Sequence, residues 1–158
     1  MRPNKTIEDS RTEQVHLLRY EDINGEGRLF GGKLVSWIDE VAGTTAKRHA
    51  ETRITTASID NLVFKNAAFL DELVVISGRV TYVGNSSMEV RVDTYVEEFG
   101  GIRRPINRAY LTMVSLDQDG KPAPIRYGIE VNTVEQQGEW EGALKRIELR
   151  KTRRTEGF

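Results

Sequence analysis

The stretch NGEGRLFGGKLVSWIDEVAGTTAKRHA, Asn24 to Ala50, changes character at Gly31-Gly32. Before that pair it has turn chemistry, Asn24-Gly25 and then Gly27. After it, apolar residues recur with a helical period. At about 100° per residue, Leu34, Ile38, Val41, Ala42 and Thr45 share one face, flanked by Val35 and Ala46. The spacing predicts a helix from Gly32 to about His49, with one face made to be covered. It also carries an acidic pair whose members point apart. Glu40 falls among Ser36, Gly43 and Lys47 on the polar side, whereas Asp39 falls between Val35 and Ala46, at the margin of the apolar stripe. A carboxylate at that margin needs a hydrogen-bonding partner or a raised pKa. Both a structural carboxylate tied to a neighbouring loop and a general base or nucleophile meet that requirement. The glycines are equally two-sided. At a helix start the first amides lack helical partners, and without Cβ atoms a ligand oxygen can approach them, so Gly31-Gly32 suits an oxyanion site. It also suits tight packing against a sheet.

Outward from this helix the period is two. QVHLLRYEDI (residues 14–23) reads as a strand ending at the Asn24-Gly25 turn, and residues 1–12 read as a polar, frayed terminus. RITTASIDNLVF (53–64) is a strand with Ile54, Ile59 and Val63 among its apolar positions. ELVVISGRVTYV (72–83) and SMEVRVDTYVEE (87–98) are long strands joined at Gly84-Asn85-Ser86. In the second, Val90, Val92, Thr94 and Val96 line one face and Glu89, Arg91, Asp93 and Tyr95 the other. A further strand from about Asn107 to Leu116 stops at Asp117-Gln118-Asp119-Gly120, and a closing amphipathic helix carries Trp140, Leu144 and Ile147 on one side. The order is strand, long helix, four strands in meander-like succession, then a helix. That predicts an α+β fold whose antiparallel sheet is covered by the long helix, as a single domain over 1–158. No repeat or linker interrupts it.

Composition narrows the chemistry. With 158 residues, 38% hydrophobic and 30% charged, the chain suits one globular domain, and a net charge of −1 gives no field favouring nucleic acid or an anionic membrane. Cysteine is absent, which fits a reducing compartment and removes thiolate nucleophiles, disulfides and zinc–thiolate sites. Only His16 and His49 could serve a histidine metal site, so none is expected. There is no apolar run of the ~20 residues a membrane span needs, and MRPNKTIEDS lacks the apolar core of a signal peptide; a soluble, cytoplasmic protein is expected. His49 reads as a surface histidine that helps to cap the helix C-terminus. The basic cluster KRIELRKTRR (145–154) reads as a charged helix face, and Arg103-Arg104 as a loop pair able to meet a phosphate.

Three separated motifs, NGEGRLFGGKLVSWIDEVAGTTAKRHA, TASID and VTYVGNSSMEVRV, occur in the order found in hotdog-fold acyl-coenzyme A thioesterases. Over residues 14–116 the chain resembles the group containing brain-type acyl-CoA hydrolases and small bacterial broad-range thioesterases, with 117–158 as an extension. The resemblance implies an antiparallel sheet wrapped around the long helix, and homodimers with active sites at their interface, assembled further as trimers of dimers. It implies hydrolysis of acyl-CoA to free acid and coenzyme A with no cofactor or metal. Asp39 would act as general base or nucleophile, and Asn24 of the facing subunit would orient the water or the carbonyl. Amides near Gly31 and Gly32 would hold the oxyanion, and Thr56 and Ser58 would lie near Asp39. The turn Gly84, Asn85, Ser86 and Ser87 would contact coenzyme A, although Asn85 stands where such proteins often carry a basic residue. Ala67 and Asp71-Glu72 likewise depart from a common Pro and Gly-Asp. A non-catalytic acyl-CoA-binding module is the alternative. An enoyl-CoA hydratase would need a histidine a few residues after Asp39, and the next one is His49.

Overall fold

The computed structural model describes residues 1–60 and 62–158. Its strands are β1 (Asn4–Lys5), β2 (Thr12–Leu17), β3 (Arg53–Asp60), β4 (Leu73–Val83), β5 (Ser87–Glu97), β6 (Arg103–Leu116) and β7 (Gly128–Ile129); its helices are α1 (Gly31–Ala50) and α2 (Val134–Glu156). Strands β2 to β6 form one antiparallel sheet in the order β2-β4-β5-β6-β3. Only β4-β5-β6 is a meander. β3 does not continue into it: the strand leaving α1 pairs with β6 at the far edge, so α1 is carried across the sheet between β2 and β3. The predicted extension of β3 to Phe64 crosses Asn61, outside the described residues, and residues 62–64 are not in a strand.

Packing explains the position of α1. Leu34, Ile38, Val41, Ala42 and Thr45 are buried as their spacing predicts, together with Trp37 and Ala46, against Val74, Ile76, Val80, Val90 and Val92 of the sheet. The closest approach is at Gly78, where a Cβ would come within 2.8 Å of both Thr45 Oγ1 and Val41 Cγ1. Trp37 also stacks on His16 of β2, ring centroids 3.8 Å apart. The helix ends at Glu51, which adopts a left-handed conformation (φ 57°) and donates its N–H to Lys47 O. Lys5 Nζ donates to the carbonyls of Arg48 and His49, 2.9 Å each, supplying positive charge where the helix dipole is negative.

Lys5 thus does what was expected of His49. The latter is fully buried, with Nε2 3.0 Å from the Tyr127 carbonyl oxygen. The terminus is not frayed either: β1 pairs in parallel with β7, and Ile7 is buried. Burial pushes the His49 pKa below its ordinary value. A base with a depressed folded pKa holds fewer protons folded than unfolded. Its contribution to stability is therefore full above the unfolded pKa of about 6.5 and is lost as pH falls toward the folded value. We expect the melting temperature to decline from about pH 7 to about pH 5, with a shallower decline in His49→Gln; parallel slopes in the two proteins would exclude this role.

The second face of the sheet overturns a simple apolar-in, polar-out reading. Glu89, Arg91 and Asp93 alternate with core residues, as predicted, yet they too are buried. The α2 helix meets Glu89 and Arg91 with charge, while Asp93 pairs with Arg91 and Arg108 of the sheet. Arg146 donates to Glu89 through two bonds of 2.7 and 2.8 Å, Glu139 pairs with Arg79 and Arg91, and Arg150 reaches Asp60 at 2.7 Å. Trp140 packs on Tyr82, and Ala143 is buried. Leu144, expected on the inner side, is exposed, because the ion pairs set the rotation of the helix. A Thr133–Gln136 capping box starts α2.

Candidate active site

β2 stops at Leu17 rather than Ile23 because local bonds take over: Asp22 Oδ2 accepts the Arg19 N–H at 3.0 Å, closing a short helical turn. A tight turn follows at Asn24. Asn24 Oδ1 accepts the N–H groups of Glu26 (2.9 Å) and Arg28 (3.2 Å), while Gly27 takes the positive φ of 75° that the turn requires. These bonds occupy the amide oxygen and leave the exposed Nδ2 as a donor. The first helical bond of α1 runs from Leu34 N to Phe30 O, so the amides of Gly31, Gly32 and Lys33 precede it. Both glycines also serve packing. A Cβ on Gly32 would come within 2.8 Å of the Phe30 ring, and one on Gly31 within 3.4 Å of Phe64. Asn24, Gly31, Leu34 and Phe64 line a cavity of about 260 Å³.

Asp39 lies elsewhere along the helix. It is half-buried at the margin of the stripe, and Thr56 Oγ1 donates to its Oδ1 at 2.5 Å. Thr56 reaches it from β3 just before a bulge, where the register with β6 shifts between Thr56 and Ser58. Asp39, Gly43, Lys47, Ile54, Thr56 and Met113 line an open groove of about 360 Å³. Gly43 leaves its middle clear, since a Cβ there would meet nothing within 4 Å. Glu40 is exposed. Lys47 was read from the sequence only as a neighbour of Glu40 on the polar side; it stands about two turns beyond Asp39 and joins the groove from that side.

The structure therefore brings Thr56 to Asp39 and Asn24 to Gly31, but not one pair to the other. Ser58 is half-buried and its hydroxyl bonds to neither. Gly84, Asn85, Ser86 and Ser87 line neither cavity. Their turn is held by Gly84 N–H to Ser87 O, Ile125 N–H to Asn85 O and Ser115 N–H to Ser86 O. Arg2 donates to the carbonyls of Val83 and Gly84, placing beside Asn85 a cation that sequence reading did not assign there. Arg103 and Arg104 open β6 rather than lying on a loop, and they pair with Glu13, Glu97, Glu72 and Glu98. His49, turned into the core, is remote from hydration chemistry at Asp39. Among the described residues no helix is long and apolar enough to cross a membrane.

A solved apo-hexameric acyl-CoA thioesterase superposes on this chain with a TM-score of 0.90 at 39% identity, covering 96% of this chain and 97% of that one. The thioesterase superfamily profile matches residues 26–99. The chain belongs to the thioesterase superfamily. Its curled five-stranded antiparallel sheet around a long central helix is the hotdog fold, here with α2 added. Acyl-CoA hydrolase from Staphylococcus aureus, solved as an aspartate-to-alanine variant, is 32% identical to this superfamily member with a TM-score of 0.91, over 99% of this chain and 96% of that one. An uncharacterized acyl-CoA thioester hydrolase of Bacillus subtilis is 41% identical over 105 residues, 66% of this chain and 61% of its own. A cytosolic acyl coenzyme A thioester hydrolase of Rattus norvegicus is 38% identical over 127 residues, 78% of this chain. The match spans about a third of that mammalian relative's length.

Proposed function

We propose that this chain hydrolyses acyl-CoA thioesters, and that each active site is built between two copies, Asp39 from one and Asn24 from the other. The observation that carries the reading is the Thr56–Asp39 hydrogen bond. It fixes one carboxylate oxygen and leaves the other over an open groove, the arrangement a general base or nucleophile needs. Within one chain the two halves are too far apart. Gly31 and Asp39 are separated by eight residues of helix, about 12 Å of rise, and they line different cavities. A second copy resolves this. Among the described residues β3 is an edge strand whose outer side has no partner in the sheet, and it carries Thr56. Antiparallel pairing of two β3 edges about a twofold axis would set the α1 start of one copy opposite Asp39 of the other.

In the proposed reaction Asp39 takes the proton of a water that attacks the thioester carbon and passes it to the departing sulfur. Alternatively it attacks that carbon itself to form an acyl anhydride that water then cleaves, its proton going to the thiolate. The carbonyl oxygen gathers charge near the amides of Gly31 and Gly32, with Asn24 Nδ2 as a further donor, and the coenzyme A thiol leaves. The Staphylococcus aureus structures support the assignment by position. The aspartate, asparagine and threonine replaced by alanine in three of them stand 15 and 17 positions apart, as Asn24, Asp39 and Thr56 do here, and the asparagine variant is in complex with coenzyme A. The hexameric relative supports assembly of three such dimers. The turn at Gly84–Ser87 is proposed as a coenzyme A contact.

Mixing two inactive variants tests the shared site. Asn24→Ala and Asp39→Ala, co-expressed, form mixed dimers in which one of two sites is intact, so about a quarter of wild-type thiol release should return. No recovery from a proven mixed dimer would place both groups in one chain. A wild type that binds coenzyme A but releases no thiol from any acyl-CoA would replace the hydrolase with the binding module.

A further inference from the structure

The face of the sheet turned away from α1 is covered over only part of its length. Leu17 of β2 and Leu73 of β4 are register partners, and the neighbouring Val74 is in the core. Strand alternation therefore turns Leu17, Leu73 and, two residues along, Val15 away from the helix. α2 meets this face at Arg79 and Arg91 and leaves those three side chains exposed. The β5–β6 hairpin continues the patch. It closes through Glu98 N–H to Ile102 O and Gly101 N–H to Glu98 O, with Gly100 and Gly101 at φ of 85° and 84°. The turn does not need the side chains of Phe99 and Ile102, yet Phe99 is fully exposed and Ile102 is 68% exposed. Beside Phe99 lies a groove of about 420 Å³ lined in part by Leu73 and Val96. Isolated exposed apolar side chains are ordinary, but five in one run mark a surface that something covers.

A second copy of this chain fits that surface. A hexamer, the state of the solved apo relative, needs two different contacts on each chain, because the isologous β3 contact proposed above closes at two. The hairpin patch is placed to be the other. β3 pairs with β6 from Tyr110 onward, whereas the hairpin precedes Arg103, so about 20 Å of strand separates the two surfaces. The patch is also self-complementary. It presents a projecting ring next to an apolar groove, so a twofold axis would seat the Phe99 of each copy in the groove of the other. Asp71, Glu72, Glu97 and Glu98 border the groove, and an aromatic ring offers carboxylates its positive edge. Arg103 and Arg104 already offset three of those carboxylates, which limits repulsion between the copies. Two isologous contacts with different axes alternate around a closed ring, as a trimer of dimers requires.

We propose that Phe99, Ile102 and the groove beside Leu73 form the contact that joins β3 dimers into the hexamer. The inference rests on the dimer of the proposed function and not on its chemistry. Phe99 is the anchor, since a ring fully exposed in one chain gains the most from burial in a neighbour's groove.

Sedimentation velocity over a range of protein concentrations, with thiol release per chain, tests this on wild type, Phe99→Asp and Ile102→Asp. The control is Val134→Asp, which removes an exposed apolar side chain at the start of α2. The replaced side chains are all exposed, so none is needed for the fold of one chain. Wild type and control should sediment as six chains. Phe99→Asp and Ile102→Asp should sediment as two, with the dissociation constant between dimers raised at least about thirtyfold. Their thiol release should stay within about threefold of wild type, because Asp39 and Asn24 meet across β3. Hexamers that persist in both variants and in the Phe99→Asp, Ile102→Asp double variant overturn the proposal, as does a wild type that stays at two chains at every concentration. Single chains from Phe99→Asp would place the hairpin on the first contact and overturn it too. A wild-type hexamer that releases no thiol from any acyl-CoA, with variants that fall to dimers, sinks the hydrolase reading and leaves this contact standing.

Discussion

Asp39→Ala should lower kcat for acyl-CoA hydrolysis by about a thousandfold or more, within or beyond the range that removal of a positioned base produces. KM should move little, because a short carboxylate at the edge of an open groove contributes more to the transition state than to ground-state binding. The melting temperature should stay near wild type. Asp39 is only half-buried and its one side-chain hydrogen bond among the described residues is to Thr56, so removing it leaves a hydroxyl free to take water from the groove. Neighbouring substitutions sharpen the result. Thr56→Ala should cost about tenfold in kcat by freeing the carboxylate, and Thr56→Ser should restore most of it, since the donor returns. Glu40→Ala should be near neutral. Equal losses from Asp39→Ala and Glu40→Ala in steady-state thiol release would remove Asp39 from the chemistry.

Glu89→Ala carries the largest expected stability loss, about 3–5 kcal/mol, or about 10 °C in melting temperature for a chain of this size. Glu89 is 3% exposed and accepts from Thr81 at 2.8 Å as well as both Arg146 bonds. Deleting it strands a guanidinium under α2, where Arg146 also lies over the Tyr110 ring. The double change Glu89→Leu, Arg146→Met should recover most of the loss, because an apolar pair has no charge left to desolvate. Thermal melts at one fixed protein concentration decide it, since association would otherwise shift the midpoint. A single variant as stable as wild type would mean that α2 is held by Trp140 and Ala143 rather than by charge.

What was legible in the chain follows from how local each signal is. The α1 stripe, the β4–β5 hairpin and the turn at Asp117–Gly120 depend on neighbours a few residues apart, and each stands where its spacing put it. The placement of Asp39 at the edge of the buried stripe was equally local. His49 was misread because its surroundings come from Tyr127 and Lys5, far away in sequence. Leu144 was misread because ion pairs to β4 and β5, not hydrophobicity, decide which side of α2 faces in.

By itself, the sequence determined the helix, its buried stripe, the two long paired strands and the margin position of Asp39, together with a motif order resembling hotdog thioesterases. Periodicity decides these, because side-chain direction repeats every 3.6 residues in a helix and every two in a strand. Tertiary structure alone decided that β3 crosses to the far edge, that Thr56 rather than Ser58 holds Asp39, that Asn24 and Asp39 line different cavities, and that a face written in Glu, Arg and Asp is interior. Those facts depend on which distant segments meet. A charged residue reads as exposed until its counter-charge arrives from elsewhere in the chain, and nothing in its own neighbourhood announces that partner.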